Sequence, residues 1–299
     1  MRPVWNPKTS HLGYIGLNTP DLGRARAYYG DVLGLVETEG SGKDAAYFSV
    51  GGSHHDIVLR PADETSCLHL GFRLADGTDL QAFAKSVRDY GLPAEVRSDP
   101  QPGIPALVDV VAPGGNGMQF YAAEDENAPG FPSRGIAPIR LGHVAIISPE
   151  APALRRFYEE FLGFHYTDDF EGIATFLTCN RDHHVVNLVD APESRIHHIA
   201  FELIDNAQHA RACDLLAQAK LPTLWGPARH TAGHNLAGYH RDADGTMIEL
   251  YTEMDVYVPQ LGLFEPRPWH EHQPMRPMTR GVTEMTTWET AYAFDLVQG

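Results

Sequence analysis

Three residues in the second half of the chain, His143, His198 and Glu249, are of the types that bind metal ions. Each stands in a run that is predicted to be a strand, with aliphatic or aromatic residues at the alternate positions. Because side chains alternate between faces along a strand, each polar group should point away from the apolar face. Two imidazoles and one carboxylate that share a cavity form the ligand set of a non-haem Fe(II) centre with open positions. The three residues therefore predict a metal site, although each alone could be an ordinary half-buried polar residue.

Other residues that can carry protons or donate hydrogen bonds lie between these candidates. They are the pair His183-His184 and, in a glycine-containing segment, His230, His234 and Tyr239. A histidine beside a metal-bound oxygen can move protons near neutral pH, and a tyrosine can hydrogen-bond a bound oxyanion. We expect members of this set to act beside the metal, and a purely structural role for the histidine pair stays open.

An internal repeat divides the chain into two similar halves. Residues 12–17 match residues 141–146, and the offset of 129 persists over about 80 residues. A repeat of this length predicts two homologous domains. We place the first domain at residues 1–122, a linker at 123–139, the second domain at 140–254 and a proline-rich tail at 255–299.

The repeat supplies an internal control for the metal site. Subtracting the offset pairs His143 with Tyr14, His198 with His69 and, one residue out of register, Glu249 with Gln119. A phenol and a neutral amide replace an imidazole and a carboxylate, so the first domain is expected to hold no divalent metal. The pair His54-His55 matches His183-His184, which is the reason why a structural role of that pair stays open.

Each half is predicted to contain a strand, a helix and several strands, twice over. The first helices are expected from about Pro20 to near Gly34 and from Pro149 to near Gly163, since a glycine often follows a helix end. The second helices are expected at about 78–90 and 206–220. Short apolar runs between them are predicted to be strands.

Composition excludes several classes of protein. The 299 residues carry 23 Lys and Arg against 39 Asp and Glu, a formal net charge of −16, which disfavours nucleic acid and anionic membranes as partners. No apolar run approaches the roughly 18 residues that a membrane helix needs. The three cysteines are widely spaced, so we expect no disulfide framework and a cytoplasmic location.

With this repeat and these candidate residues, the chain resembles the type I extradiol ring-cleavage dioxygenases of the vicinal oxygen chelate superfamily. Their C-terminal signature is a histidine, a tyrosine nine residues later and a ligand glutamate ten residues after that. His230, Tyr239 and Glu249 have this spacing. The second ligand of the family is the latter histidine of a pair that opens a strand, which His197-His198 matches.

The acid/base histidine of the family precedes that second ligand by fourteen or fifteen residues, which admits His184 or His183. The strand pattern that follows favours His184. The chain departs from the family in having Gly238 before the signature tyrosine and Ala243 after Asp242, which affects turn and packing positions.

The resemblance implies an α+β fold, with two βαβββ modules in each domain forming an incomplete β-barrel around a cavity. It implies Fe(II), with Mn(II) as an alternative, bound by His143, His198 and Glu249. A catechol-type substrate and dioxygen would bind this metal, and His184 would stabilise the oxygen species and supply a proton as the O–O bond breaks. Tyr239 would hydrogen-bond the substrate oxygen, and His230 would orient the substrate.

Further expectations come from the same resemblance. Trp225 stands where homoprotocatechuate enzymes carry an arginine for the substrate carboxylate, which implies a less anionic, more aromatic substrate. Trp269 and Trp288 of the tail either close the pocket or have a structural role. Family members are commonly multimeric, so we expect a homo-oligomer.

Two other functions stay open. A glyoxalase-like isomerase or a keto-acid-dependent dioxygenase of the same superfamily shares a triad of two histidines and a glutamate, but it need not carry His184, His230 and Tyr239. A metal-free binding protein, such as the antibiotic-sequestering members, would use paired modules only to enclose an apolar ligand.

Overall fold

The computed structural model describes residues 5–127 and 134–288. Residues 128–133 of the predicted linker and 289–299 of the predicted tail lie outside the described residues. Within the described ranges, no helix is long and apolar enough to cross a membrane.

The described residues of the first half, 5–127, form one sheet and two α-helices. The helices are α1 (Leu22–Ala27) and α2 (Leu80–Tyr90). The eight strands are β1 (Thr9–Thr19), β2 (Val36–Glu37), β3 (Ala46–Ser49), β4 (Ile57–Pro61), β5 (Ser66–Leu74), β6 (Ala94–Gln101), β7 (Ile104–Val111) and β8 (Gly117–Tyr121).

The second half repeats this arrangement. Its helices are α3 (Ala151–Arg156) and α4 (Asn206–Gln218). Its strands are β9 (Arg140–Ser148), β10 (His165–Phe170), β11 (Ala174–Thr178), β12 (Val186–Asp190), β13 (Arg195–Glu202), β14 (Trp225–Arg229), β15 (Leu236–Arg241) and β16 (Met247–Thr252). The tail adds β17 (Tyr257–Val258), β18 (Leu263–Phe264) and β19 (Met278–Arg280).

Each sheet consists of two βαβββ modules that meet at their first strands. The strand order is β2-β3-β4-β1-β5-β8-β7-β6 in the first sheet. In the second it is β14-β15-β16-β13-β9-β12-β11-β10-β19, the same order read from the other end with one strand of the tail added. Within a module the first and last strands are parallel, and the two modules join through an antiparallel pair. The predicted α+β fold of incomplete barrels is thereby confirmed.

The first helix of each half is shorter than the sequence predicts. Helix α1 begins at Leu22 because the Asp21 carboxylate accepts a hydrogen bond from the Arg24 backbone N–H, which caps the helix. A wider, π-helical turn then continues to Val32, and a similar turn at Phe157–Leu162 follows α3. Gly34 and Gly163 have φ angles of 81° and 80°, so both helical segments end at a left-handed glycine, as predicted.

One apolar core spans both halves and holds the two sheets in place. Aromatic rings from both sides meet in it, and Phe72 lies 6.0 Å from Tyr158 between ring centroids. Buried polar contacts join the halves as well, because the Tyr28 hydroxyl lies 2.7 Å from His240 Nε2 and the Tyr29 hydroxyl donates to Asp242. The apolar core and these hydrogen bonds therefore hold the second barrel against the first half of the chain.

Candidate metal centre

Three neighbouring strands place the predicted ligands in one row. Ala200 of β13 lies opposite His143 of β9 on one side and opposite Glu249 of β16 on the other. His198 stands two residues before Ala200 and therefore shares its face of the sheet. The alternation that the sequence suggests is sufficient to bring all three side chains into the same barrel.

The donor atoms of the three residues converge. His143 Nε2 lies 3.3 Å from His198 Nε2 and 3.3 Å from Glu249 Oε2, and His198 Nε2 lies 3.1 Å from that same oxygen. Metal–ligand bonds of roughly 2.1 Å at right angles would place neighbouring donors about 3 Å apart. The group can therefore hold a metal ion on one face and leave the opposite face open.

The protonation states suit a metal site. Burial alone would raise the pKa of Glu249, but His143 and His198 hold the pKa of this carboxyl well below its usual range. Burial lowers the pKa of His143, against the opposing effect of Glu249. A carboxylate and neutral imidazoles are the forms that bind metal ions.

Other side chains orient the three ligands. Tyr239 donates a hydrogen bond of 2.8 Å to Glu249 Oε2, and the Asn235 amide donates one of 2.8 Å to Glu249 Oε1. His197 Nδ1 lies 2.7 Å from His198 Nδ1, which fixes that ring with its Nε2 directed at the group. Such outer contacts set ligand orientation and tautomer in metal sites.

The structure distinguishes between the two members of the pair His183-His184. His184 lines the pocket beside the ligand group, and its ring centroid lies 4.2 Å from that of His143. His183 lies behind it, with Nε2 3.2 Å from Asp168. Burial, with His143 and His183 adding to it, lowers the pKa of His184 well below its usual value. His184 is therefore the member of the pair that can reach a ligand in the pocket.

His230 and Tyr239 form the opposite side of the pocket. Their rings are stacked, with centroids 5.8 Å apart, and Trp225 stacks on His230 at 5.1 Å. The Tyr239 hydroxyl lies 3.5 Å from His230 Nε2. Burial lowers the pKa of His230 to about 4, so this ring is neutral near pH 7.

The rest of the pocket wall is mostly apolar. Sequence reasoning missed the residues that form it, which come from β10–β12, from the loop between β14 and β15 and from the tail: Phe170, Ala174, Phe176, Asn187, Ala232 and Met285. Alternation along β12 could have found Asn187, a polar residue within an apolar run. None of the described residues that line this pocket is a lysine or an arginine.

The tail reaches the pocket through Met285, and the two tryptophans lie elsewhere. Trp269 donates to Asp255 and packs against the Arg229 guanidinium at 4.2 Å, and Trp288 is 55% exposed. Of the two roles left open for these rings, the structural one fits Trp269. Neither ring lines the pocket.

His234 belongs to a second cluster, with Asp255 and His270. The Asp255 carboxylate lies 2.6 Å from His234 Nδ1 and 2.9 Å from His270 Nε2, and it also accepts the bond from Trp269. Although burial acts in the opposite direction, these hydrogen bonds hold the pKa of Asp255 far below its usual range. These hydrogen bonds fasten the tail to the loop between β14 and β15, and the donor atoms of His234, Asp255 and His270 also lie close enough together to hold a metal ion.

The first barrel has a different row at the same place. Tyr14, Gly71 and Gln119 lie opposite one another on β1, β5 and β8, as His143, Ala200 and Glu249 do in the second barrel. The Tyr14 hydroxyl donates to Gln119 Oε1 at 2.8 Å. Among residues 5–127, no group of histidine, cysteine and carboxylate side chains converges in a way that could hold a metal.

Comparison with known proteins identifies the family. Residues 11–125 and 140–250 match the model of the glyoxalase/bleomycin resistance protein/dioxygenase superfamily. The chain belongs to this superfamily. The metapyrocatechase of Pseudomonas sp. (strain CF600) is 26% identical over 259 residues, 80% of this chain and 84% of that protein.

Solved structures of the superfamily share the whole fold. Homoprotocatechuate 2,3-dioxygenase from Arthrobacter globiformis aligns with a TM-score of 0.81 at 23% identity, covering 97% of this chain and 90% of that one. The Mn(II)-bound glyoxalase from Novosphingobium aromaticivorans aligns with a TM-score of 0.82 at 23% identity, covering 95% and 91%. The resemblance suggested by the spacing of His230, Tyr239 and Glu249 is thus confirmed at the level of the family.

Proposed function

We propose that this protein is an extradiol dioxygenase that inserts both atoms of dioxygen into a catechol-type ring with the help of a mononuclear Fe(II) ion. The observation that carries this proposal is the convergence of three buried donor atoms, from His143, His198 and Glu249, beside a mostly apolar pocket that His198 and Glu249 line. The names of the relatives, which include a metapyrocatechase, support it.

In this proposal His143, His198 and Glu249 hold the metal. The metal would supply open coordination positions at which the two oxygens of a catechol and a dioxygen molecule bind side by side. Fe(II) is the proposed ion, and Mn(II) is the alternative because it accepts the same ligands. The Mn(II)-bound glyoxalase of the same fold keeps that alternative relevant.

The surrounding residues would handle protons and orientation. His184 Nε2 would accept a proton from a substrate hydroxyl and later return it to an oxygen of the product. His230 and Tyr239 would orient the ring, with the Tyr239 hydroxyl donating to a substrate oxygen next to Glu249. The apolar wall of Phe170, Phe176 and its neighbours would exclude water from these steps.

The pocket wall also limits the substrate. Since no lysine or arginine is among its lining residues in the described part of the chain and Trp225 covers one side, a catechol with an apolar substituent fits better than one with a carboxylate. We expect 3- or 4-alkyl and aryl catechols to be better substrates than homoprotocatechuate.

A spectrophotometric assay tests the proposal. The protein is loaded with Fe(II) without air and then mixed with a panel of catechols in aerated buffer. A yellow ring-fission product that forms with one equivalent of oxygen consumed per catechol supports the dioxygenase. Glu249→Ala, loaded in the same way, is the control and should give neither signal.

Each alternative predicts its own result. A metal-free binding protein would bind catechols tightly without oxygen uptake, and a glyoxalase-like isomerase would convert a glutathione or related thiol adduct of an α-oxoaldehyde in the absence of oxygen. Either result, together with no oxygen consumption by the loaded protein, would overturn the proposal.

We also propose the division into residues 1–122, 123–139, 140–254 and 255–299. The first sheet ends at Tyr121 and the second begins at Arg140, which supports it, and strand β19 attaches the tail to the second sheet. Homo-oligomerisation and a cytoplasmic location stay predictions.

A further inference from the structure

A line of buried polar groups runs from His184 away from the pocket to the tail. His184 Nδ1 lies 3.0 Å from His183 Nδ1, and His183 Nε2 lies 3.2 Å from Asp168 Oδ2. The same Asp168 oxygen accepts a hydrogen bond of 3.0 Å from Arg280 Nε on β19. All four residues are buried, so water does not compete for these contacts.

The chemistry of Asp168 decides where the protons are. Its carboxylate is paired with the Arg280 guanidinium, and its second oxygen accepts from the Met278 backbone N–H at 2.8 Å. An ionised carboxylate can only accept hydrogen bonds, so His183 Nε2 must carry a proton. The Arg280 guanidinium, 3.0 Å from Asp168 Oδ2, balances the charge of this carboxylate.

The direction of the next hydrogen bond follows. A neutral His183 that is protonated at Nε2 has a bare Nδ1, which accepts a hydrogen bond from His184 Nδ1–H. A neutral His184 that is protonated at Nδ1 has a bare Nε2. That nitrogen is at the opposite edge of the ring from the contact with His183, and the His184 side chain lines the pocket.

We propose that His183, Asp168 and Arg280 are positioning residues that set the tautomer of His184, so that its Nε2 enters the reaction as a proton acceptor. This inference rests on the proposed function, in which His184 takes a proton from the substrate. It also gives the tail a role, because Arg280 belongs to β19 and reaches the acid/base residue only through Asp168.

The first domain shows that a histidine pair does not itself require this arrangement. His54 Nδ1 lies 2.9 Å from His55 Nδ1, which is the same contact. Asp168 corresponds by the offset of 129 to Glu39, whose side chain is exposed. The matching carboxylate is therefore buried and paired with an arginine only in the half that carries the candidate metal site, among the residues that the structure describes.

Nitrogen NMR tests the tautomer without any turnover. The full chain, labelled with ¹⁵N in its histidines and loaded with diamagnetic Zn(II), should show His184 protonated at Nδ1 and bare at Nε2. Asp168→Asn offers an amide that can donate to His183, so it should move the His184 proton to Nε2. Unchanged His184 shifts in Asp168→Asn, or a wild-type His184 protonated at Nε2, would overturn the proposal.

A paired substitution protects the test against a folding defect. Asp168→Leu together with Arg280→Met replaces the buried ion pair by apolar side chains of similar volume and leaves no lone buried charge. The His184 proton should then distribute between both nitrogens. Asp169→Asn is the matched control. Asp169 is the next residue on β10 and also contacts the tail, where it accepts a hydrogen bond from Thr279, but within the described residues it forms no hydrogen bond with His183. This substitution should leave the His184 proton on Nδ1.

Kinetics of the Fe(II)-loaded protein give a second measurement. Asp168→Asn should lower kcat about 10-fold to 100-fold, with KM and metal content within about threefold of wild type. In a His184→Phe background the same change should have no further effect, because its action passes through His184. If the two effects multiply, the residues act independently and the inference fails. A protein that cleaves no catechol at all would instead refute the proposed function, and the NMR result would still decide on the tautomer.

Discussion

The two barrels of this protein share a strand arrangement, and the matching rows of side chains at the candidate metal site differ between them. In the second barrel the row across β9, β13, β16 and β15 is His143, Ala200, Glu249 and Tyr239. In the first barrel the row across β1, β5, β8 and β7 is Tyr14, Gly71, Gln119 and Asp109. The register of the strands is the same, so the backbone alone does not make a metal site.

In the first barrel, the polar side chains of this row hydrogen-bond to one another. Tyr14 donates to Gln119 Oε1, and Gln119 Nε2 donates to Asp109 Oδ1, both at 2.8 Å. The Tyr14 ring also packs with Tyr47 and Tyr121 in a cluster that fills the barrel. His69 survives at the position of a ligand, but its Nε2 is buried with no hydrogen-bond partner among the described residues. The comparison shows that a barrel either fills its interior or leaves it open for ligands.

Removing the carboxylate ligand, Glu249, should have the largest effect on the difference in metal binding between the two barrels. Glu249→Ala leaves two histidines without a negative charge, and we expect bound Fe(II) to fall from one equivalent per chain to none that survives gel filtration. Gln119→Ala, at the matching place in the first barrel, should keep the full equivalent. Metal analysis of both variants measures this, and loss of metal from Gln119→Ala would reverse the assignment of the two barrels.

The second change separates metal binding from proton transfer. His184→Phe should keep one equivalent of Fe(II) and lower kcat about 10²-fold to 10⁴-fold, the usual contribution of a general acid/base group. His55→Phe is the matched change in the first barrel and should alter neither value. Oxygen-uptake kinetics on both iron-loaded proteins give the result. Equal losses in the two variants would mean that the histidine pairs serve the fold in both halves.

A gain of metal in the first barrel would sharpen the comparison. Tyr14→His, Asp109→Tyr and Gln119→Glu, made together, copy the second row, with His69 already in place. We expect a second equivalent of metal that binds about 10-fold to 100-fold more weakly, since the outer contacts of Asn235 and His197 have not been rebuilt. Titration calorimetry with Mn(II) shows the number of sites. A correctly folded variant that still binds one ion would show that more than the row is needed.

The smallest effect concerns stability, at another position where the halves differ. Asp56 and Val185 match by the offset, and both carbonyls accept from the first strand, from Ile15 and Val144. Burial raises the pKa of Asp56 to about 7, against an ordinary value of 3.8. The folded state therefore binds this proton more tightly than the unfolded state, and stability falls as the pH rises from about 4 to about 7.

Asp56→Asn should remove this fall in stability with rising pH. It keeps an acceptor for the Val50 N–H, which donates to Asp56 in the wild type at 2.7 Å. We expect the free energy of unfolding to increase by on the order of 2 kcal/mol at pH 8 and to be nearly unchanged at pH 4. Urea titrations at both pH values measure this difference. An equal change at both would mean that the Asp56 charge is not its source.

The sequence predicts the repeat and the ligand row because both depend on local rules. The offset of 129 is visible in the sequence, and alternation along a strand places His143, His198 and Glu249 on one face. The second helices, α2 and α4, also lie close to their predicted ranges. These features require no knowledge of which strands are neighbours.

What the sequence did not predict depends on contacts between distant segments. The position of Met285 in the pocket and of Arg280 behind His183 depends on where the tail crosses the second sheet. The proline content of the tail could not show that strand β19 lies beside β10. The strand pattern favoured His184 over His183, but the contact between His183 and Asp168, fifteen residues away in sequence, could not be seen from it.

The central claim is that one metal ion binds in the second barrel only, between His143, His198 and Glu249. A crystal structure of the Fe(II)-loaded protein, with anomalous data collected on both sides of the iron edge, tests it most directly. The account predicts a single strong peak about 2.0–2.3 Å from the two Nε2 atoms and the carboxylate oxygen. A peak beside Tyr14 and Gln119, a peak at His234 and Asp255 alone, or no peak in iron-loaded crystals would contradict it.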